Sequence, residues 1–179
     1  AFAGQWIRIN QLGYLPESVK VAVLISEEPI DLSAFDIVNA ATGKRVKSFK
    51  SVESTGKFGT MQSTYRLDFS EFEVSGEYYL RVGETTSPVF PINTSVYDGT
   101  ADFLLNYMRQ QRCGYNPHIQ DSCHTHDGYI LYHPTKTGQH IDVTGGWHDA
   151  TDYLQYTTTS ANAIYQMMFA YQENPEVFG

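Results

Sequence analysis

Glu77-Tyr78-Tyr79-Leu80-Arg81-Val82 and Pro88-Val89-Phe90-Pro91-Ile92 read as the last two strands of a β-domain. The next apolar residues, Ala101, Leu104, Leu105 and Met108, recur at helical spacing. A repeat of two gives way to one of about 3.6, so the chain changes fold class after Ile92. Upstream, residues 6–9, 20–25, 35–38, 45–49 and 64–69 are rich in β-branched and aromatic side chains, and several alternate apolar with polar. Asn39-Ala40-Ala41-Thr42-Gly43-Lys44 and Ser75-Gly76 supply turn chemistry between them. Seven short, closely spaced strands predict an immunoglobulin-like sandwich over residues 1–94. No cysteine pair crosses it, so its core must hold by packing alone.

Downstream, the spacing predicts a helix over residues 97–112, with Asp98 and Asp102 near its start and Arg109 and Arg112 near its end, where they oppose the macrodipole. Ala161, Ile164, Tyr165 and Met168 predict a second helix near 158–173, ending before Asn174-Pro175. Tyr97, Tyr107, Tyr165 and Phe169 are expected in the core. About 40 residues of weak periodicity join the helices, a length that in a compact domain marks a functional or disordered segment. Its aromatic content and two cysteines speak against disorder.

The 179 residues carry 12 Lys+Arg against 20 Asp+Glu. The acidic balance, without a basic cluster, argues against nucleic acid and anionic membrane surfaces. No apolar run approaches the roughly 20 residues that span a bilayer. Residues 1–95 hold 9 Lys+Arg and 11 Asp+Glu, whereas the remaining 84 hold 3 and 9, with all six His and both Cys. Net negative charge and metal-competent side chains are therefore concentrated in the second part. Ala1-Phe2-Ala3-Gly4 shows neither a charged n-region nor an apolar h-region, and the expectation is that any leader has been removed.

Three clusters in the connection could carry chemistry: Arg112-Cys113-Gly114-Tyr115, Asp121-Ser122-Cys123-His124-Thr125-His126-Asp127-Gly128 and Gly145-Gly146-Trp147-His148-Asp149-Ala150-Thr151-Asp152-Tyr153. Two Cys with nearby His supply the ligands of four-coordinate zinc; a Cys113–Cys123 disulfide or two free thiols are the alternatives. Asp149 and Asp152 could point the same way if their segment turns helically, and two carboxylates on one side of a cleft can hold and deprotonate a water. Asp-x-x-Asp ahead of a helix also serves as a cap or as calcium ligands. Trp147, Tyr129, Tyr132, Tyr153 and Tyr156 crowd the region as core or as sugar-gripping rings.

Taken together these stretches resemble glycoside hydrolase family 9, the cellulase family with an (α/α)6 barrel, in its subgroup with an N-terminal immunoglobulin-like module. The module's opening is similar to Ile7-Arg8-Ile9-Asn10-Gln11-Leu12-Gly13-Tyr14-Leu15-Pro16 and Lys20-Val21-Ala22-Val23. The catalytic domain's beginning is similar to Gln111-Arg112-Cys113-Gly114, Cys123-His124 and the Gly-Gly-Trp-x-Asp-Ala-x-Asp motif. The resemblance implies an all-β sandwich followed by the first helices of an all-α barrel left incomplete, with residues 95–179 as the start of the catalytic domain.

It implies an inverting endo-β-1,4-glucanase acting on β-glucan, with Asp152 as the base on water and Asp149 holding the same water. Cys113, Cys123, His124 and His148 would ligate a structural zinc, with His126 and His140 as competing nitrogen donors. His148 would tie the metal loop to the base, and Trp147 and Tyr153 would meet substrate. Thr151 stands where the family usually has Gly, which disfavours positive φ there. The family's acid is a Glu late in the barrel; Glu173 and Glu176 do not match its setting, which places the acid outside this chain. The implied partners are the polysaccharide and the remainder of the catalytic domain, the sandwich bracing it, and the implied location is secreted, periplasmic or at the cell surface. The alternative is a non-catalytic carbohydrate-binding or zinc-stabilised interaction module.

Overall fold

The computed structural model describes residues 4–150 and 152–178 and divides into two units, Ala1–Asp98 and Gly99–Gly179. The expectations for Ala1, Phe2, Ala3 and Thr151 lie outside the described residues.

The first unit is a two-sheet antiparallel sandwich. One sheet runs β1 (Gln5–Arg8), β2 (Val21–Ser26), β6 (Met61–Asp68), β5 (Val52–Phe58). The other runs β4 (Arg45–Phe49), β3 (Phe35–Asn39), β7 (Gly76–Val82), β8 (Thr85–Thr86), and β9 (Phe90–Ile92) also pairs with β7. Alternation sets the register. Ala22, Leu24 and Ser26 of β2 face inward, and Leu24 lies opposite Ile7 on one side and Tyr65 on the other. From the second sheet Ile37 and Leu80 pair directly, and both are fully buried. Aromatic edges fill the gap between sheets: Tyr14 meets Phe69 at 5.2 Å and Phe90 at 5.4 Å between centroids, both near-perpendicular.

Among the described residues of this unit nine strands form where seven were expected. Val52–Phe58 escaped the sequence reading because it is a polar edge strand, exposed almost throughout, with register shifts on both sides of Gly56. Its ladder to β6 holds it, and no buried face imposes a period of two.

The Asn10–Tyr14 turn closes the sandwich. Gly13 has φ +105, and a Cβ there would stand 2.4 Å from the Pro91 carbonyl oxygen, so only glycine fits. Asn10 Nδ2 donates to the Gly13 carbonyl at 2.8 Å, and the Tyr14 hydroxyl accepts from Asn10 N at 3.0 Å while donating to the Val21 carbonyl. The Lys20 side chain is buried and its ammonium donates to the carbonyls of Pro16 and Ser18. Burial still pushes its pKa down, with Glu73 and Asp68 opposing.

The second unit holds α1 (Thr100–Gln110), a two-residue hairpin of β10 (Tyr115–Asn116) and β11 (Asp121–Ser122), α2 (Thr157–Glu173) and a 3-10 turn over Pro175–Phe178. Asp102 and Arg109 lie in the first and last turns of α1. Neither helix buries a single residue. Tyr107, Tyr165 and Phe169, expected in a core, are 54%, 62% and 48% exposed. Their helical faces have apolar spacing, but this chain supplies too few elements to cover them. Tyr97 instead belongs with the sandwich, where its hydroxyl bonds Asn10 and Gly13. Among the described residues no helix is long and apolar enough to cross a membrane.

Candidate functional site

The site grows from the C-terminal end of α1, whose last carbonyls have no partners inside the helix. Met108 O accepts from the Trp147 indole Nε1 at 2.9 Å and Gln110 O accepts from Asn116 Nδ2 at 3.0 Å. Just beyond the helix, Gln111 O accepts from His148 N at 2.9 Å and Cys113 N donates to Gly146 O at 3.0 Å. A short antiparallel bridge thus joins Arg112 to Trp147. The helix end is satisfied by the very segment that carries the Gly-Gly-Trp motif.

The two glycines have separate reasons. Gly145 and Gly146 both adopt positive φ, 129° and 67°, and a Cβ on Gly146 would lie 2.7 Å from Ser160 Oγ of α2. That close approach lets Ser160 Oγ accept from Trp147 N at 3.2 Å. Gln155 Nε2 donates to Gly145 O from the other side of the loop.

His148 bridges Gln155 and Asp149 N donates to Leu154 O at 2.8 Å, a backbone pairing that brackets the two carboxylates. Asp152 Oδ1 accepts from Leu154 N at 3.2 Å, and Tyr153 takes positive φ, 62°. Both carboxylates are exposed. Tyr153 packs its ring edge on His148 at 4.6 Å, and Trp147 is half-buried beneath the Arg112 guanidinium.

Beside this loop, Cys113, Cys123, His124 and His148 place one donor atom each within 4.8 Å of one another, the one such group of three or more among the described residues. His126 bonds Thr125 and His140 packs on Tyr129, so neither joins it. The two sulfurs lie 3.8 Å apart and are thiols, not a disulfide. Cys123 Sγ is 3.2 Å from His148 Nε2. With Zn–S of about 2.3 Å and Zn–N of about 2.0–2.1 Å, a tetrahedron has edges of about 3.8 Å between sulfurs and about 3.5 Å between sulfur and nitrogen. The sulfur–sulfur and Cys123–His148 edges are close to that size, and two thiols with two imidazoles are the chemistry that zinc takes.

Electrostatics bear on three of these four donors. Burial pushes the Cys113 thiol up, opposed by the backbone N–H groups of Gly145 and Gly114. Burial also pushes His148 down, toward the neutral imidazole that a metal requires. Asp127 raises His124, its carboxylate lying 2.7 Å from Nδ1, while Nε2 is 2.9 Å from the Tyr153 carbonyl. Asp127, Arg112 and Gln155 were not anticipated as supports. For Asp127 the available signal was its place three residues after His124.

Comparisons with known proteins agree with this architecture. Residues 3–87 match the cellulase N-terminal Ig-like domain and residues 97–179 match glycosyl hydrolase family 9. A xyloglucan-specific endo-beta-1,4-glucanase of Bacteroides ovatus is 32% identical over 93% of this chain and 30% of its own length. Endoglucanase D of Acetivibrio thermocellus is 31% identical over 93% of this chain and 27% of its own. A metagenome-derived family 9 endoglucanase structure superposes with a TM-score of 0.75 at 31% identity, covering 97% of this chain and 35% of that one. A Zn-binding triple mutant of the family 9 endoglucanase J30 gives 0.75 at 32% identity, covering 90% and 31%. The fold and these matches define an Ig-like module followed by a segment of the glycosyl hydrolase family 9 type. The chain is thus similar to the Ig-like module and the first part of the catalytic domain of glycoside hydrolase family 9 proteins, and it spans under a third of the length of these curated relatives.

Proposed function

We propose that the chain is the N-terminal part of an inverting endo-β-1,4-glucanase in which Asp152 is the general base and Asp149 holds the same water. The observation that carries this reading is the loop closed by the Asp149 N to Leu154 O bond, which presents both carboxylates to solvent beside the four-donor group. An inverting site needs a second carboxyl about 6.5–9.5 Å away to protonate the leaving oxygen. Glu173 ends α2 and Glu176 lies in the following 3-10 turn, so the acid comes from the rest of the protein. Tyr153, half exposed, and the open part of Trp147 offer rings to the sugar.

Cys113, Cys123, His124 and His148 would hold a structural zinc. Four protein donors leave no open position, and thiolate with imidazole favours zinc over calcium. The metal would pin a loop that buries almost nothing else: Cys113 is the one apolar side chain of the second unit that is buried among the described residues. The remainder of the catalytic domain would cover α1 and α2, whose Leu104, Leu105, Met108 and Met167, with Phe178 of the 3-10 turn, line a groove of about 370 Å³. The sandwich braces that domain, and the protein works outside the cytoplasm, where its polymeric substrate is found.

The test is hydrolysis of soluble β-1,4-glucan by the full-length protein carrying Asp149→Ala or Asp152→Ala. Loss of turnover with retained folding supports the reading. Full activity in both variants would replace it with a non-catalytic carbohydrate-binding or interaction module.

A further inference from the structure

We propose that Arg112 is a positioning residue for the carboxylate loop, a role that rests on the catalytic reading of Asp149 and Asp152. Its guanidinium carbon lies 4.8 Å from the centroid of the Trp147 ring, and its NH1 donates to the Gly146 carbonyl at 3.2 Å. One side chain thus grips two consecutive residues of the strand that runs directly into His148 and Asp149. The same carbonyl also accepts from Cys113 N, and the indole beneath the guanidinium is tied by Nε1 to Met108 O of α1.

Trp147 is therefore held from three directions: Met108 at its ring nitrogen, Arg112 over its face, and Ser160 of α2 at its backbone N–H. No metal takes part in these contacts. Arg112 sits just past the C-terminus of α1, where a cation is also favoured by the helix dipole. The loop consequently has two anchors, the four-donor group at His148 and the Arg112–Trp147 clip one residue earlier. The metal-site ligands fix the point where the loop starts; the clip fixes the direction in which it leaves.

A planar guanidinium can lie flat on an indole while pointing an N–H at a carbonyl in the same plane. A lysine ammonium, compact and strongly hydrated, cannot satisfy both at once. The function is specific to arginine, which separates positioning from mere positive charge.

The experiment uses the full-length protein with carboxymethylcellulose as a soluble β-1,4-glucan. Arg112→Gln is expected to lower kcat about tenfold with KM within about twofold, as for the loss of one charge-assisted contact. Arg112→Lys is expected to restore little, and millimolar guanidinium ion to restore part of the activity of Arg112→Ala. Amide exchange at Cys113 and His148, whose N–H groups cross the bridge, should quicken about tenfold in Arg112→Gln while zinc per chain stays unchanged. Trp147→Leu removes the ring beneath the guanidinium, and adding Arg112→Gln to it should cost almost nothing beyond the effect of Trp147→Leu alone. Wild-type kcat in Arg112→Gln, a loss seen only in KM, full rescue by lysine, or additive single effects would each overturn the proposal. If instead Asp149→Ala and Asp152→Ala leave hydrolysis intact, the catalytic reading fails, and amide exchange alone decides whether Arg112 holds the strand.

Discussion

At the scale of single residues, the chemistry is carried by a few side chains whose neighbours explain them. Cys113→Ser removes one of four donors, and metal analysis should fall from about one zinc per chain to near none, with a lowered unfolding temperature. Retained stoichiometric zinc would exclude Cys113 as a ligand. Asp152→Ala in the full-length protein is expected to cost about 10²–10⁴ in kcat, the range of a lost general base. Gly13→Ala places a methyl 2.4 Å from a backbone oxygen at φ +105, so the sandwich should lose about 1–3 kcal/mol in urea unfolding.

One pH effect follows from Asp68. Its carboxylate accepts from Ser70 N at 2.9 Å, and bonds from Ser70 hold its pKa below the usual range. The folded pKa lies below the unfolded one, so the carboxylate stabilises the fold above the unfolded value of about 3.9 and loses that contribution as pH falls through the folded value. Urea midpoints of wild type and Asp68→Asn should differ at neutral pH and converge in acid. A gap that stayed constant with pH would contradict this.

At the scale of elements, legibility tracked burial. Strands with one face in the core, such as β2 and β7, announced themselves by alternation and aromatic content. Val52–Phe58 did not, because an edge strand solvated on both faces has no side-chain pattern to show. The helices were readable from their spacing, yet the burial of Tyr107, Tyr165 and Phe169 was not, since burial depends on elements that this chain does not supply. The Cys, His and Asp clusters were visible as residues. Their gathering depended on a β-bridge between Arg112 and Trp147 that no local periodicity encodes. The backbone bond from Asp149 to Leu154 was not legible for the same reason, because a backbone pairing leaves no mark in side-chain spacing. An element-scale prediction concerns Gly146. Replacing it with Ala should push α2 from the Trp147 segment through Ser160 and strain a residue at φ 67°, weakening metal retention under chelator about tenfold or more. Unchanged retention would show that α2 does not support the site.

At the scale of the whole molecule, the two units differ in how they are held. The sandwich buries a continuous aromatic and aliphatic core. The helical unit leaves its apolar faces open and depends on a polar loop, a donor cluster and the rest of the protein. That asymmetry was legible in the change of period after Ile92 and in the concentration of His, Cys and net negative charge downstream. On the proposed reading, the acid half of the reaction comes from the rest of the protein. The central claim is that an Asp pair activates water for single displacement at the anomeric carbon. Proton NMR of the first sugar released from a soluble β-1,4-glucan by the full-length protein tests it most directly. The α-anomer appearing first, and disappearing with Asp152→Ala, is the result expected of inversion. The β-anomer appearing first would show retention and contradict the assignment of Asp152 as the base.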